Sequence, residues 1–179
     1  MRRFLITIVA LILLLVAAAR PSFAQTLQVT PLAKDGRILV TLRMNDVFSD
    51  EVRAAMQSGL RITFVYDIEL KRSTALWVDR TIATATVTAT IEYDILTQRY
   101  LATRREDGHM EKVETLDRED AARAWLTEVD KLPLFNSGSL ELNSEYYLRV
   151  RARTTPRNQS FVWPWEGGIA GLAKFTFLR

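Results

Sequence analysis

Apolar and polar residues alternate along most of this chain, the period-two signature of half-buried β-strands. Between Arg61 and Lys71, the residues Ile62, Phe64, Tyr66, Ile68 and Leu70 share one face, while Arg61, Thr63, Asp67, Glu69 and Lys71 share the other. Only Val65 breaks the polarity. In a helix the same apolar residues would wrap around the axis. The next segment repeats the pattern, with Ala83, Ala85, Val87, Ala89, Ile91 and Tyr93 opposite Thr84, Thr86, Thr88, Thr90 and Glu92. Threonine suits a pleated outer surface because its branched Cβ costs little there.

Turn dipeptides join these strands into hairpins. Asp35-Gly36 separates Leu27-Gln28-Val29 from the alternating Ile38, Val40, Leu42 and Met44. A turn after Tyr93 leads into a strand near Tyr100–Thr103, and Asp107-Gly108 returns the chain through Met110 to Val113. Tyr146, Leu148, Val150 and Ala152 then alternate with Tyr147, Arg149, Arg151 and Arg153, and Ala173, Phe175 and Phe177 alternate with Lys174, Thr176 and Leu178.

Two short helices interrupt. Ser49 caps the first, Asp50 and Glu51 sit at its positive end, Val52, Ala55 and Met56 form its stripe, and Gly59 closes it. The second is expected after Leu116-Asp117, with Asp120 at the capping-box position. Its stripe is Ala121, Trp125 and Val129 beside Ala122 and Leu126, and Pro133 ends it. The whole predicts a mainly β fold: an antiparallel β-sandwich or partly closed barrel with two short lidding α-helices.

The first residues change where this domain is expected to work. Arg2-Arg3, an unbroken apolar run from Phe4 to Ala19, and Arg20-Pro21-Ser22-Phe23-Ala24 have the layout of a secretory signal peptide over residues 1–24. One exported domain follows over 25–179, with a periplasmic address. Left uncleaved, the same segment would hold the domain at the inner membrane. The run is shorter than the roughly 20 residues that cross a bilayer as a helix. The net charge of +3 and pI of 9.4 belong to the precursor. Arg2, Arg3 and Arg20 all precede Ala24 and no acid does, so the remainder is balanced. Nucleic-acid binding, which needs a basic surface, is not expected. With no cysteine, thiol catalysis, CxxC redox chemistry and thiolate metal sites are excluded.

Little catalytic chemistry is visible. His109, the one histidine, follows a hairpin turn, and no G-x-S-x-G elbow or H-x-x-x-H pair accompanies it. Asp67, Glu69, Asp79 and Glu92 offer carboxylates, but alternating charge on strands explains them without glycoside chemistry. No catalytic residue, metal ligand or cofactor is assigned. Phe161-Val162-Trp163-Pro164-Trp165 is the feature strands explain least, since the proline excludes a central strand. It reads as an exposed aromatic loop gripping a partner, a sugar ring or the membrane interface, or as an apolar plug at one end of the sandwich. Tyr147, Arg149 and Arg151, with Arg153, read as a basic stripe for headgroups or acidic glycans, or as a solvated strand face crossed by acids. Asn158-Gln159-Ser160 matches a glycosylation sequon.

Gly59-Leu60 through Phe64, Glu69-Leu70, Trp77, Asp79 and Tyr93-Asp94-x-Leu96-Thr97-x-x-Tyr100, together with Ala121-Ala122 and Tyr146–Arg153, resemble an uncharacterised family of exported bacterial proteins known as a domain of unknown function. The tail with Trp163-Pro164-Trp165 departs from it. The resemblance implies a bacterial source, a periplasmic address and an envelope-signalling partner, and assigns no activity to any residue.

The expected function is therefore a non-enzymatic periplasmic domain that binds an envelope protein or membrane component, with oligomeric state open. An alternative is a carrier of lipid or another apolar ligand beside the small face Ala83-Ala85-Ala89, unless those alanines admit a helix. A hydrolase would have to use His109 or an acidic pair. An outer-membrane barrel is disfavoured by the charged faces opposite the apolar stripes.

Overall fold

The computed structural model describes residues 26–73, 79–155 and 168–178. The described residues form two antiparallel sheets. Strands β1 (Thr26–Lys34), β2 (Arg37–Asn45) and β7 (Glu128–Asn136) make a three-stranded sheet in the order β1-β2-β7. The second sheet runs β6-β5-β4-β3-β8-β9, built from β3 (Ile62–Arg72), β4 (Arg80–Asp94), β5 (Arg99–Glu106), β6 (His109–Leu116), β8 (Glu145–Thr155) and β9 (Ile169–Thr176). Helix α1 (Asp50–Gln57) follows β2, and α2 (Glu119–Thr127) follows β6. The layers pack as a sandwich closed along one side, where β1 meets β9. The sheets do not join into a closed barrel.

The alternation read from the sequence becomes the core. Ile62, Phe64, Tyr66, Ile68 and Leu70 of β3 point inward with Val87, Ala89 and Ile91 of β4 and Leu148 and Val150 of β8. Ile38, Val40 and Leu42 of β2 meet them from the smaller sheet. The two tight turns have left-handed residues at both centres, φ 51° and 74° at Asp35-Gly36 and 46° and 84° at Asp107-Gly108. That backbone matches strand twist and is why Asp-Gly is favoured there. Helix α1 is capped by Ser49, whose side chain accepts from Val52 N. Arg53 Nε (2.5 Å) and Gln57 both donate to Glu119, tying α1 to α2.

The second helix departs from expectation at both ends. Its N-cap is Arg118, with no side-chain cap bond, because Asp120 pairs with Arg118 and Asp117 with Arg99. It stops at Thr127 instead of running to Pro133, and Val129 opens β7. Pro133 is tolerated in a strand because β7 is an edge. Pro31 likewise sits on edge strand β1. Ala85 and Ala89 are buried, and among the strands α2 packs chiefly on β4. Helix α2 thus lies over the strand that carries those alanines.

The end of α2 is satisfied from the sheet. Tyr66, with no exposed surface, donates its hydroxyl to Leu126 O at 2.5 Å. Arg104 on β5 donates through Nη2 to Trp125 O (2.8 Å) and Glu128 O (3.0 Å) and lies 4.5 Å from the Trp125 ring centre. A cation beside helix C-terminal carbonyls is favoured by the helix dipole. Burial pushes the Tyr66 phenol well above its ordinary range, and the Arg104 charge only partly opposes this. Its folded form keeps the proton while the unfolded chain loses it near pH 10. The contribution is thus complete below about pH 10 and falls above it by roughly 1.4 kcal/mol per pH unit. We expect Tyr66→Phe to cost about 1–2 kcal/mol at neutral pH and to flatten the alkaline decline. Urea melts of both proteins across that range check this. Parallel declines would refute the assignment.

Candidate functional site

The β4–β5 hairpin turn carries two large aliphatic residues where turns are ordinarily polar. Asp94 fixes it by accepting at Oδ1 from Leu96 N (2.9 Å) and Thr97 N (3.3 Å), and Gln98 completes the turn at φ 55°. The Thr97 side chain and the backbone amides of Leu96 and Thr97 together hold the Asp94 carboxyl below its usual range. The result displays Leu96 at 94% exposure and Ile95 at 61%. Ile95 lies against the end of α1, so that a Cβ on Gly59 would come within 3.4 Å of Ile95 Cδ1. Behind the tip Tyr93 and Tyr100 stack obliquely, ring centres 4.8 Å apart.

An open cleft of about 760 Å³ runs between this tip and the end of α1, with Ser58, Gly59, Ile95, Leu96, Leu101 and Thr115 in its walls. Leu101 continues it into a smaller groove of about 430 Å³ on the outer face of the larger sheet. Thr63, Thr88, Thr90, Thr103 and Met110 line that groove. Val65, the residue that interrupted the alternation, is buried there. Nine large hydrophobic side chains are exposed among the described residues, and five of them (Ile95, Leu96, Leu101, Met110 and Val113) lie on this tip and the adjoining β5–β6 hairpin.

Two arginines at this end are paired with acids of the chain. Arg61 grips Glu92 through Nε (2.9 Å) and Nη2 (2.6 Å), and Arg99 Nε sits 3.0 Å from Asp117. Exposed ion pairs are worth at most about 1 kcal/mol, whereas burying one leucine side chain against a partner is worth about 1.5–3 kcal/mol. Apolar contact is therefore the stronger source of affinity here.

The residues singled out from the sequence fall elsewhere. Tyr147, Arg149 and Arg151 lie on the outer face of β8. Tyr147 donates to Asp79 at 2.7 Å, and Asp79 in turn raises the Tyr147 phenol. Arg149 is 3.9 Å from Glu69, and Arg153 Nε donates to Asp67 at 3.0 Å. Arg151 is exposed, with no ion-pair partner among the described residues. Acids on β3 thus cross most of the stripe. Phe161, Trp163 and Trp165 lie outside the described residues, as do Trp77 and the Asn158 sequon. The chain leaves β8 at Thr155, opposite Thr63, and is next described at Gly168. Ile62 pairs with Ile91, so Thr155 stands at the same end of the sheet as the Ile95-Leu96 tip.

His109 is exposed at the start of β6, in a shallow depression with Glu106, Glu111 and Pro133. Burial, then the Glu111 and Asp107 carboxylates, push Glu106 upward against the pull of Arg37. The carboxylates Asp67, Glu69, Asp79 and Glu92 each meet a separate cation or phenol. Among the described residues no group of three His, Asp or Glu is arranged to hold a metal, and no helix is long and apolar enough to cross a membrane. The Ile95-Leu96 tip was missed because it read only as a turn. The available signal was two adjacent aliphatics between Asp94 and Gln98.

A family described as a domain of unknown function matches residues 24–158, which takes in β1 through β8 and leaves β9 beyond the matched span. No curated protein and no solved structure matches the chain.

Proposed function

The chain belongs to the DUF4390 family, whose domain has no assigned function, and from that premise we propose that it is a non-enzymatic, exported docking domain that binds an envelope protein through the end of its larger sheet. The observation that carries the reading is the apolar tip, Leu96 and Ile95, held outward by Asp94 and continuous through Leu101 with the groove over Val65. A rigid apolar anchor with a polar, ion-paired rim is the usual layout of a protein-binding hot spot. The pairing of Arg61 and Arg99 with acids favours a protein over an anionic lipid surface. We further propose Trp163, Trp165 and Phe161 as partner-binding residues, because the chain leaves β8 at Thr155, at the same end of the sheet as the tip. Tyr147, Arg149 and Arg151 take a secondary, rim role, in which Arg151 is the cation without an acid of its own. The periplasmic address rests on the N-terminal segment.

Chemical cross-linking in the producing cells, followed by osmotic-shock release, tests both parts. Leu96→Asp combined with Ile95→Ser should abolish a cross-linked partner band and leave the circular dichroism spectrum intact. Trp163→Ala with Trp165→Ala should weaken the same band. An unchanged band in the tip variant removes the tip from the function. Recovery of the chain only from the cytoplasmic fraction removes the exported address.

A further inference from the structure

The edges of the two sheets are not equally protected. Among the described residues β1 carries Pro31 and packs against β9, which covers the free sides of both strands. β7 carries Pro133 and a left-handed Lys131 at φ 45°. β6 closes the larger sheet at its other side with no proline and, among the described residues, no strand beyond it. Such an edge presents unpaired backbone groups to any strand that fits it. Its one irregularity lies before Lys112, since Arg104 pairs with Lys112 but Arg105 with Met110.

We propose that two copies of this chain join edge to edge through β6, antiparallel about a two-fold axis at Val113, to form one continuous sheet of twelve strands. The side-chain pattern selects that register. Directly opposed residues in antiparallel strands share a face. Both cores can lie on one side of the joined sheet only if inward residues meet inward residues. Lys112 and Glu114 belong to the inner face, opposite Arg104 and the buried Ala102, while Val113 stands with Thr103 on the outer face. Every register that centres the axis on one residue of the regular part of β6, Lys112 to Leu116, meets this condition. Centring it on Lys112 or on Glu114 sets like charges face to face. Only the register that places Val113 on Val113 sets each Lys112 opposite the second copy's Glu114, twice.

Edge charges ordinarily repel a second strand. Here their alternation makes the edge complementary to itself in one register. Within a single copy Lys112 and Glu114 already pair along the strand, so the dimer extends that pair into an alternating square of four charges. Val113, 53% exposed, would be covered by its counterpart. This inference uses the strand edge and does not rest on the docking function of the tip.

Two experiments on the full chain, purified as the producing cell processes it, test the proposal. Light scattering across a concentration series should show a monomer–dimer equilibrium. Lys112→Glu alone, or Glu114→Lys alone, puts like charges opposite each other and should weaken dimerisation by at least about tenfold. The double swap Lys112→Glu/Glu114→Lys restores opposite charges and should recover it. The second experiment exploits the absence of cysteine. Val113→Cys should form a disulfide-linked dimer on mild oxidation, because opposed Cβ atoms lie about 4.5–5.5 Å apart, while Leu101→Cys, one strand inward, should not. The cysteine variant keeps both charges, so it reports the register even if a charge variant loses its fold. A wild type that stays monomeric throughout, a double swap no better than the single variants, or equal cross-linking at 101 and 113 would overturn the proposal.

Discussion

Gly171→Val should destabilise this domain by about 3 kcal/mol, the upper range for overfilling a packed interior. Gly171 is buried in β9 opposite Val150, where that strand passes β1 of the other sheet. A Cβ there would lie 2.6 Å from Leu27 O, 2.8 Å from Val29 Cγ2 and 3.0 Å from Leu27 Cγ. The nearest atom is a backbone carbonyl, which cannot swing aside as a side-chain end can. Relief requires β1 and β9 to separate, opening the one side on which the sandwich is closed. Space makes glycine necessary here, in contrast to Gly36 and Gly108, where a Cβ would meet nothing within 4 Å and the left-handed backbone is the constraint. Gly171→Ala should cost less than valine but keep the same sign. The urea midpoint, with near-ultraviolet dichroism reporting sheet packing, measures both. A valine variant within 0.5 kcal/mol of the parent would mean that β9 is not an integral edge of the fold. That outcome matters because β9 lies beyond the span that matches the family.

The second large effect is expected at Arg104. Arg104→Met should cost about 2–3 kcal/mol, the range for hydrogen bonds made by a charged group to partners left unsatisfied. Methionine keeps the packing against Trp125 but leaves Trp125 O and Glu128 O without their donor. Those carbonyls lie where α2 passes straight into β7 without a glycine cap. Burial makes the Arg104 charge costly, lowering its pKa against the pull of Tyr66 and Glu114. A guanidinium tolerates this because it stays protonated and stacks on indole. Arg104→Lys preserves the charge but cannot hold both carbonyls from the face of the ring, so it should recover less than half of the loss. Thermal and urea melts of the two variants separate charge from geometry. A lysine variant as stable as the parent would show that charge alone is needed.

Strand faces were legible because period-two alternation records burial directly. β3, β4, β5 and β8 were readable from residues such as Ile62, Ala89, Tyr100 and Val150, which all turn inward. The Asp-Gly turns and the Ser49 cap were legible because each is decided by a few neighbouring residues. β7 was not. Its alternation is broken by the left-handed Lys131 and by Pro133, and it follows a helix with no breaker between them. The apolar residues Val129 and Leu126 fit one helical stripe, and only pairing with β2 pulls Val129 into a strand.

The candidate surface divides in the same way. Ile95 and Leu96 stand between Asp94 and Gln98 in plain sight, but a turn has no periodicity from which exposure can be read. Their display depends on the Asp94 hydrogen bonds and on the left-handed turn at Gly59 just past the end of α1. Local order in the sequence determined the strand faces, the tight turns, the helix starts and the balance of charge, because each depends on residues a few positions apart. Tertiary structure alone decided that the arginine stripe is crossed by Asp67 and Glu69, that Arg104 closes a helix 21 residues away, that β1 and β9 close the sandwich, and that β6 is left as its open edge. These depend on which strands become neighbours, and strand order is set by the summed packing of the whole core, not by any local pattern.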